Sequence, residues 1–334
     1  MTDDLGKIMV IGACGQIGSE LTETLREKYG GDRVVAADKC TDPDPAVTSG
    51  GTYEILDVMN EGELKRVLRT HGVDTIFNLA AILSANGERN PQMAFDVNMV
   101  GAYNTLEVSR KLDVDRVIIP SSIAVFGPEV PKEETPDQVY LRPRSMYGVT
   151  KVAGELLGYY YGEKYGLDVR ELRLPGIISY KTYPGGGTTD YAVAAFYEAL
   201  TDGYYEFFVE EGTRLPMMYM PDCIRSLVLL AEADGEDLRE RTNYNVGSMN
   251  FSALELAEAI RRYVPEFSYD FSPDYRQELA DSWPDSVDDS TAREVWGWQP
   301  EYDLKATVGD MLTNLAEKLG GDVTVELKDA VHSS

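Results

Sequence analysis

The chain has 334 residues, 43% of them apolar, which is enough for a large buried core in one domain or two unequal ones. Its 57 acidic residues against 31 basic ones give a net charge of −26, a surface that repels nucleic acid and anionic lipid and excludes both as partners. The acid excess has two readings, hydration of the protein in concentrated salt or an ordinary acidic cytoplasmic protein.

Cys14, Cys40 and Cys223 are odd in number and widely spaced, which argues against a disulfide framework and for a reducing cytoplasm. With only His71 and His332 to join them, they cannot build a zinc site, so no metal is expected. The N-terminus "MTDDLGKIMVIGA" carries acid where an export signal needs base, and no apolar run reaches the roughly 20 residues that span a bilayer. A cytoplasmic protein is therefore expected.

In chain order, "KIMVIG" from Lys7 reads as a buried strand, and helical spacing follows from Gln16 to Tyr29. The runs "RVVAAD", "TYEILDV" and "DTIFNLAA" are further strands. A helix is expected over Pro91 to Lys111, a fifth strand in "DRVIIPSS", a helix over Met146 to Tyr165 and a sixth strand in "LDVRELRLP". This alternation predicts an α/β fold, a Rossmann-type doubly wound parallel sheet with helices on both faces. After about Pro175 the pattern loosens, with helices expected at Tyr191 to Thr201, Asp222 to Glu232, Ser252 to Tyr263 and Leu304 to Leu319. The expected organisation is a nucleotide-binding domain over 1–175 to which later segments return, a smaller and mainly substrate-binding region over 176–321, and a loose tail over 322–334.

"MVIGACGQIGSEL" places Gly12, Gly15 and Gly18, with Gln16 and Ile17 between them, directly after a strand and at the mouth of a helix. Glycine allows the sharp turn and the close approach of a pyrophosphate to the helix N-terminus, where free amides and the macrodipole favour negative charge. The second strand ends in Asp38, twenty residues beyond Gly18, where a carboxylate accepts ribose hydroxyls and repels a 2′-phosphate. That context points to NAD. Asp57, ending the third strand beside Val58, either meets the adenine amino group or caps the strand.

"SMYGVTK" sets Tyr147 and Lys151 one helical turn apart on one face. A free phenol is a poor base at neutral pH, and a nearby cation favours its phenolate. Ser122, in "IIPSSIAVFG", stands beyond the fifth strand, where parallel sheets place ligands.

Together the glycine-rich opening, "NLAA" at Asn78 to Ala81, Asn98, Ser122, Tyr147 and Lys151 resemble the extended short-chain dehydrogenase/reductase family along nearly the whole chain. The resemblance implies that Tyr147 is the general acid/base and that Lys151 lowers its pKa and binds the nicotinamide ribose. It further implies that Ser122 orients the reacting oxygen and that Asn98 supports a proton-relay water. By the same resemblance Val58, Leu79, Ala80, Ala81 and Pro175 join the cofactor contacts. The longer motifs "YGVTKVAGELLGYYY", "RLPGIISY", "PGGGTTDYAV", "RLPMMYMPDC" and "DSWPDSVDDSTAREVWGW" are similar to the zinc-free branch of that family that oxidises L-threonine. This implies oxidation of the threonine β-hydroxyl by NAD to 2-amino-3-oxobutanoate.

Family relatives acting on sugar nucleotides follow the sixth strand with "RxFN", whereas this chain has "LRLPGIIS" with no asparagine. A sugar-nucleotide epimerase or dehydratase, another 3-hydroxy acid dehydrogenase, and a non-catalytic NAD(H) sensor are the competing readings. Retention of Ser122, Tyr147 and Lys151 speaks against the sensor. Threonine is a zwitterion, and the resemblance points to Ser84, Gly187, Thr188, Thr189 and Trp283, with Ser122 and Tyr147, as its contacts. Ser84 could instead cap a turn, Trp283 could only pack, and Arg173 either serves the pocket or pairs with an acid. The triple glycine Gly185 to Gly187 is expected to offer bare backbone amides to the substrate and a hinge for closure. Cys14 inside the first glycine loop departs from the family pattern and makes NAD binding sensitive to thiol modification; Phe126 replaces a common tyrosine without changing these roles. The resemblance also suggests a homodimer through the helices near 91–111 and 146–165, against the alternative of burial on the sheet.

Overall fold

Six of the apolar runs lie side by side in the computed structural model, which describes residues 4–183, 185–238 and 241–320. They are β1 (Ile8–Ile11), β2 (Val34–Asp38), β3 (Thr52–Ile55), β4 (Thr75–Asn78), β5 (Arg116–Ile118) and, after the two-residue β6 (Ser121–Ser122), β7 (Asp168–Arg170). Their order is β3-β2-β1-β4-β5-β7 and every pairing is parallel. Side chains alternate across a strand, so β1 sends Ile8 and Val10 to one buried cluster and Met9 and Ile11 to another. Both faces are covered, as the unbroken apolar runs require. The strand order reverses between β1 and β4, which opens the crevice where such sheets bind ligands.

The fifth and sixth runs each split in two. Pro120 has no amide to donate, and the Glu171 amide leaves the ladder for the Arg241 carbonyl at 2.8 Å. Beyond those points β6 pairs with β8 (Leu172–Leu174), and β8 with β12 (Tyr244–Asn245), as a second parallel group. Residues after Pro175 supply β9 (Gly176–Ile178), β10 (Tyr204–Phe207), β11 (Arg214–Tyr219), β13 (Met249–Ser252) and β14 (Ser268–Phe271). Of these β11 joins β9 in parallel and β13 antiparallel, while β10 pairs β14. A third cluster holds Tyr191, Phe196, Phe207, Leu256, Met311 and Trp283 beneath them.

Helices Gln16–Tyr29, Met146–Tyr165, Tyr191–Thr201 and Leu304–Leu319 have the ends that the spacing predicts, while Met220–Glu232 starts two residues earlier. The helix expected from Ser252 begins at Ala253 with Ser252 as its cap, in a reciprocal bond set with Glu255. The helix expected over Pro91 to Lys111 differs more, because Asp96–Val100 forms a π-helical turn between two α-helical pieces. Such a turn inserts where a side chain has bonds to make elsewhere, and here it carries Asn98. The tail expected at 322–334 lies outside the described residues. Among the described residues no helix is long and apolar enough to cross a membrane.

Candidate active site

The crevice beyond β1 and β4 continues past β6 and β8 into a cleft of about 230 Å³. One end is the glycine loop. Gly12 takes φ +81°, a left-handed conformation that only glycine adopts freely, and a Cβ at Gly18 would run into the Gly12 carbonyl. The helix behind begins at Gly15 with no side-chain cap, so its first amides remain for a ligand phosphate. The Asp38 carboxylate accepts the Cys14 amide at 3.0 Å and the Cys40 amide at 3.1 Å, which ties the loop to β2 and leaves lone pairs for ribose hydroxyls. A dinucleotide fits this cradle.

Gly12, Gly15, Gln16, Ile17, Gly18, Leu79, Ala81 and Pro175 line the cleft as expected. Ala80 lies behind them with its backbone against Gly12. Asp57 and Val58 do not line it. Asp57 accepts the Met59 amide at 3.0 Å in a local turn, and buried Val58 packs on Gly101. The capping reading of Asp57 therefore has its partner, and nothing in the fold turns Val58 outward.

At the middle of the cleft stand Ser122, Tyr147 and Lys151. Ser145 caps the helix that carries Tyr147 and Lys151 by accepting the Gly148 amide at 3.0 Å. Lys151 Nζ donates to the Pro120 carbonyl at 2.6 Å and lies 5.6 Å from the centre of the Tyr147 ring. Burial pushes Tyr147 up to about 12, and its bond with Ser122 pulls the other way. Burial takes Lys151 down to about 8 against the opposing charges of Glu171 and Glu155. At the phenol burial outweighs the Ser122 bond.

Asn98 lies behind the cleft. Its amide donates to the Ile82 carbonyl at 3.1 Å and to Thr150 Oγ1 at 3.0 Å, and its oxygen accepts the Ile82 amide at 2.8 Å. Both donors are spent and the side chain is buried outside the cleft lining, so Asn98 fastens the loop after β4 to the helix of Tyr147 and Lys151.

The far end is lined by Ser84, Gly187, Thr188, Thr189, Asp190 and Trp283. Ser84 Oγ and Thr188 Oγ1 are 3.1 Å apart, and Ser84 Oγ accepts the Thr188 amide at 3.3 Å. Two of the three amides of the triple glycine are already taken. Asp190 Oδ2 accepts the amides of both Gly186 and Gly187 at 2.7 Å, and Asn86 donates to the Gly185 carbonyl at 2.7 Å. A carboxylate one turn downstream competes for those amides and wins, a signal legible in "GGGTTD" but not read from it.

Arg173 does not enter the cleft. It forms a buried two-pronged pair with Glu155, both bonds 2.8 Å, and Glu155 also accepts Ser121 Oγ at 2.5 Å. Glu155 and Glu171 are the groups that sequence reasoning missed. The first follows Lys151 by one helical turn, and the second is a lone acid in the apolar run "VRELRL". Glu171 Oε2 is buried without a partner, and its carboxyl lies well above the ordinary 4.5, from burial first and then from the Glu155 charge. The native state therefore keeps a proton that the unfolded chain releases, so stability falls as pH rises from about 4.5 through the raised value. Glu171→Gln, with no proton to lose, is expected to gain on wild type across that window and to match it at lower pH. Denaturation midpoints at acid and neutral pH check this; a difference independent of pH would contradict it.

A parallel sheet with a glycine loop, an acid at the end of β2 and a serine, tyrosine and lysine around one cleft defines a nucleotide-dependent enzyme of the extended short-chain dehydrogenase/reductase class. Residues 8–247 match the NAD dependent epimerase/dehydratase family, and the chain belongs to it. Its cofactor is NAD. The chain is 45% identical to an uncharacterised epimerase/dehydratase of Staphylococcus saprophyticus over 318 residues, 95% of this chain and 99% of the relative. Among solved structures it is similar to the L-threonine dehydrogenase of Clostridium difficile, with TM-score 0.92 and 46% identity over 95% of this chain and 99% of that one. The GalE-like L-threonine dehydrogenase of Cupriavidus necator in its holo form is similar at TM-score 0.90 and 47% identity, over 92% and 99% of the two chains.

Proposed function

We propose that this protein oxidises the β-hydroxyl of L-threonine with NAD to 2-amino-3-oxobutanoate, which loses carbon dioxide to aminoacetone or is cleaved by a partner lyase. The observation that carries the reading is the composition of the far end of the cleft. Hydroxyls of Ser84, Thr188 and Thr189 and the Asp190 carboxylate gather there, and Lys151 is the one basic side chain among the described residues lining the cleft. That end suits a small zwitterion, whose ammonium a carboxylate attracts and whose carboxylate hydroxyls can receive. A second diphosphate, as on a sugar nucleotide, would call for further cations. The likeness to threonine dehydrogenases supports the same choice.

When bound, NAD would supply the hydride acceptor at nicotinamide C4. Tyr147 takes the hydroxyl proton, Ser122 holds the reacting oxygen as it becomes a carbonyl, and Lys151 favours the phenolate. Trp283 walls off water. In this reading residues 1–175 hold the nucleotide, residues 176–321 mainly hold the substrate, and the protein works in the cytoplasm. A homodimer would cover Tyr103, Leu156, Tyr159 and Tyr160, exposed on the helices near 91–111 and 146–165.

The test is purified protein with NAD and a panel of L-threonine, allo-threonine, serine, 3-hydroxybutyrate and UDP-galactose. NADH should form fastest with L-threonine, and none with it would sink the proposal. Thr188→Val keeps the shape and removes the hydroxyl, so KM for threonine should rise about tenfold with NAD affinity unchanged. An unchanged KM would return the loop to a structural role.

A further inference from the structure

We propose that Cys14 and Cys40 form a reversible oxidation site across the adenosine-ribose seat, where a small disulfide joins them and weakens NAD binding. The inference rests on the NAD assignment. The parallel register pairs Ile8 with Val34 and Ile11 with Ala37, and Cys14 and Cys40 each follow three residues beyond the last of these pairs. Neighbouring strands lie about 4.8 Å apart, within the span that a disulfide bridges. Past the strand ends the Gly12 and Ala13 amides still reach the Ala37 carbonyl, at 2.9 and 3.2 Å, and hold the two segments together.

Two groups then draw both cysteines to one point. The Asp38 carboxylate takes one backbone amide from each, and Tyr53 Oη lies 3.4 Å from Cys14 Sγ while donating to the Cys40 carbonyl at 2.7 Å. Both thiols are partly exposed, whereas Cys223 is buried. Burial, the Asp38 charge and the adjoining Cys40 thiol push Cys14 up to about 11, against the contact with Tyr53. Cys14 is therefore the slow nucleophile, and a site that does not stabilise a thiolate holds its disulfide firmly once formed.

With a disulfide RSSR the Cys40 thiolate attacks one sulfur, forms a mixed disulfide and expels RS⁻. Cys14 gives up its proton and attacks the Cys40 sulfur, which closes the internal bond and expels a second RS⁻. Two protein thiols are oxidised and one RSSR is reduced to two RSH. The second step is intramolecular, which offsets the high pKa of Cys14. The new bond sits where Asp38 must meet the ribose and where the glycine loop must meet the pyrophosphate.

The test treats the intact protein with oxidised glutathione, maps the peptides by mass and titrates NAD before and after, then again after dithiothreitol. The expected result is a Cys14–Cys40 link, NAD affinity reduced about tenfold or more, recovery on reduction, and slower linking when NAD is bound beforehand. Cys14→Ala should stop at the mixed disulfide on Cys40, and Cys40→Ala should form no internal link. Mixed disulfides without the internal link, or a link that leaves NAD affinity unchanged, would overturn the proposal. Failure of the fully reduced protein to bind NAD would instead overturn the cofactor assignment on which it rests.

Discussion

Tyr147→Phe should lower kcat for threonine oxidation by about 10²–10⁴-fold, the usual contribution of a positioned acid or base, while NAD binds as before. The ring stays, so its packing against the cluster around Phe126 and Tyr191 is kept. What goes is the oxygen between Ser122 and the reacting hydroxyl. Burial holds that phenol up at about 12, and its active form as a base is the ionised one. In wild type, kcat/KM should therefore climb with pH from neutrality into the alkaline range, and in Tyr147→Phe the climb should vanish with the activity. Rate profiles of the two proteins over that range decide the matter. Residual kcat within a few-fold of wild type would remove Tyr147 from the chemistry.

Arg173→Leu should destabilise the protein by about 3–5 kcal/mol, because it strands a buried carboxylate. Arg173 and Glu155 are 2% and 3% exposed as side chains, so water cannot replace the lost partner. The guanidinium also donates to the Asp137 carbonyl at 2.7 Å and stacks 5.1 Å from the centre of the Phe126 ring. Adding Glu155→Gln removes the stranded charge and should restore part of the loss, although Ser121 keeps a bond to the amide oxygen. Denaturant unfolding of the two single variants and the double one measures this. A loss below about 1 kcal/mol for Arg173→Leu would mean that the pair behaves as an exposed one.

The sheet was legible because both faces of its strands are buried, which writes continuous apolar runs into the chain, and the long helices because their periodicity is strong. The nucleotide seat was legible for a related reason, since Gly12, Gly18 and Asp38 must occupy set positions at strand ends. The π-helical turn at Asn98 was not, because it depends on Ile82 and Thr150, which lie far away in sequence. Nor was the partner of Arg173, since any of many acids would have satisfied the sequence. The triple glycine misled for the opposite reason. Its amides are intrinsically free, and only the fold shows that Asp190 already holds those of Gly186 and Gly187.

On the proposed chemistry hydride leaves the threonine β-carbon while Tyr147 takes the hydroxyl proton. L-Threonine carrying deuterium at that carbon, incubated with NAD and the purified protein, tests it directly by mass analysis of the NADH formed. NADH heavier by one deuterium at nicotinamide C4 is expected, with Tyr147→Phe giving almost none. Unlabelled NADH, or no NADH with threonine, would contradict it.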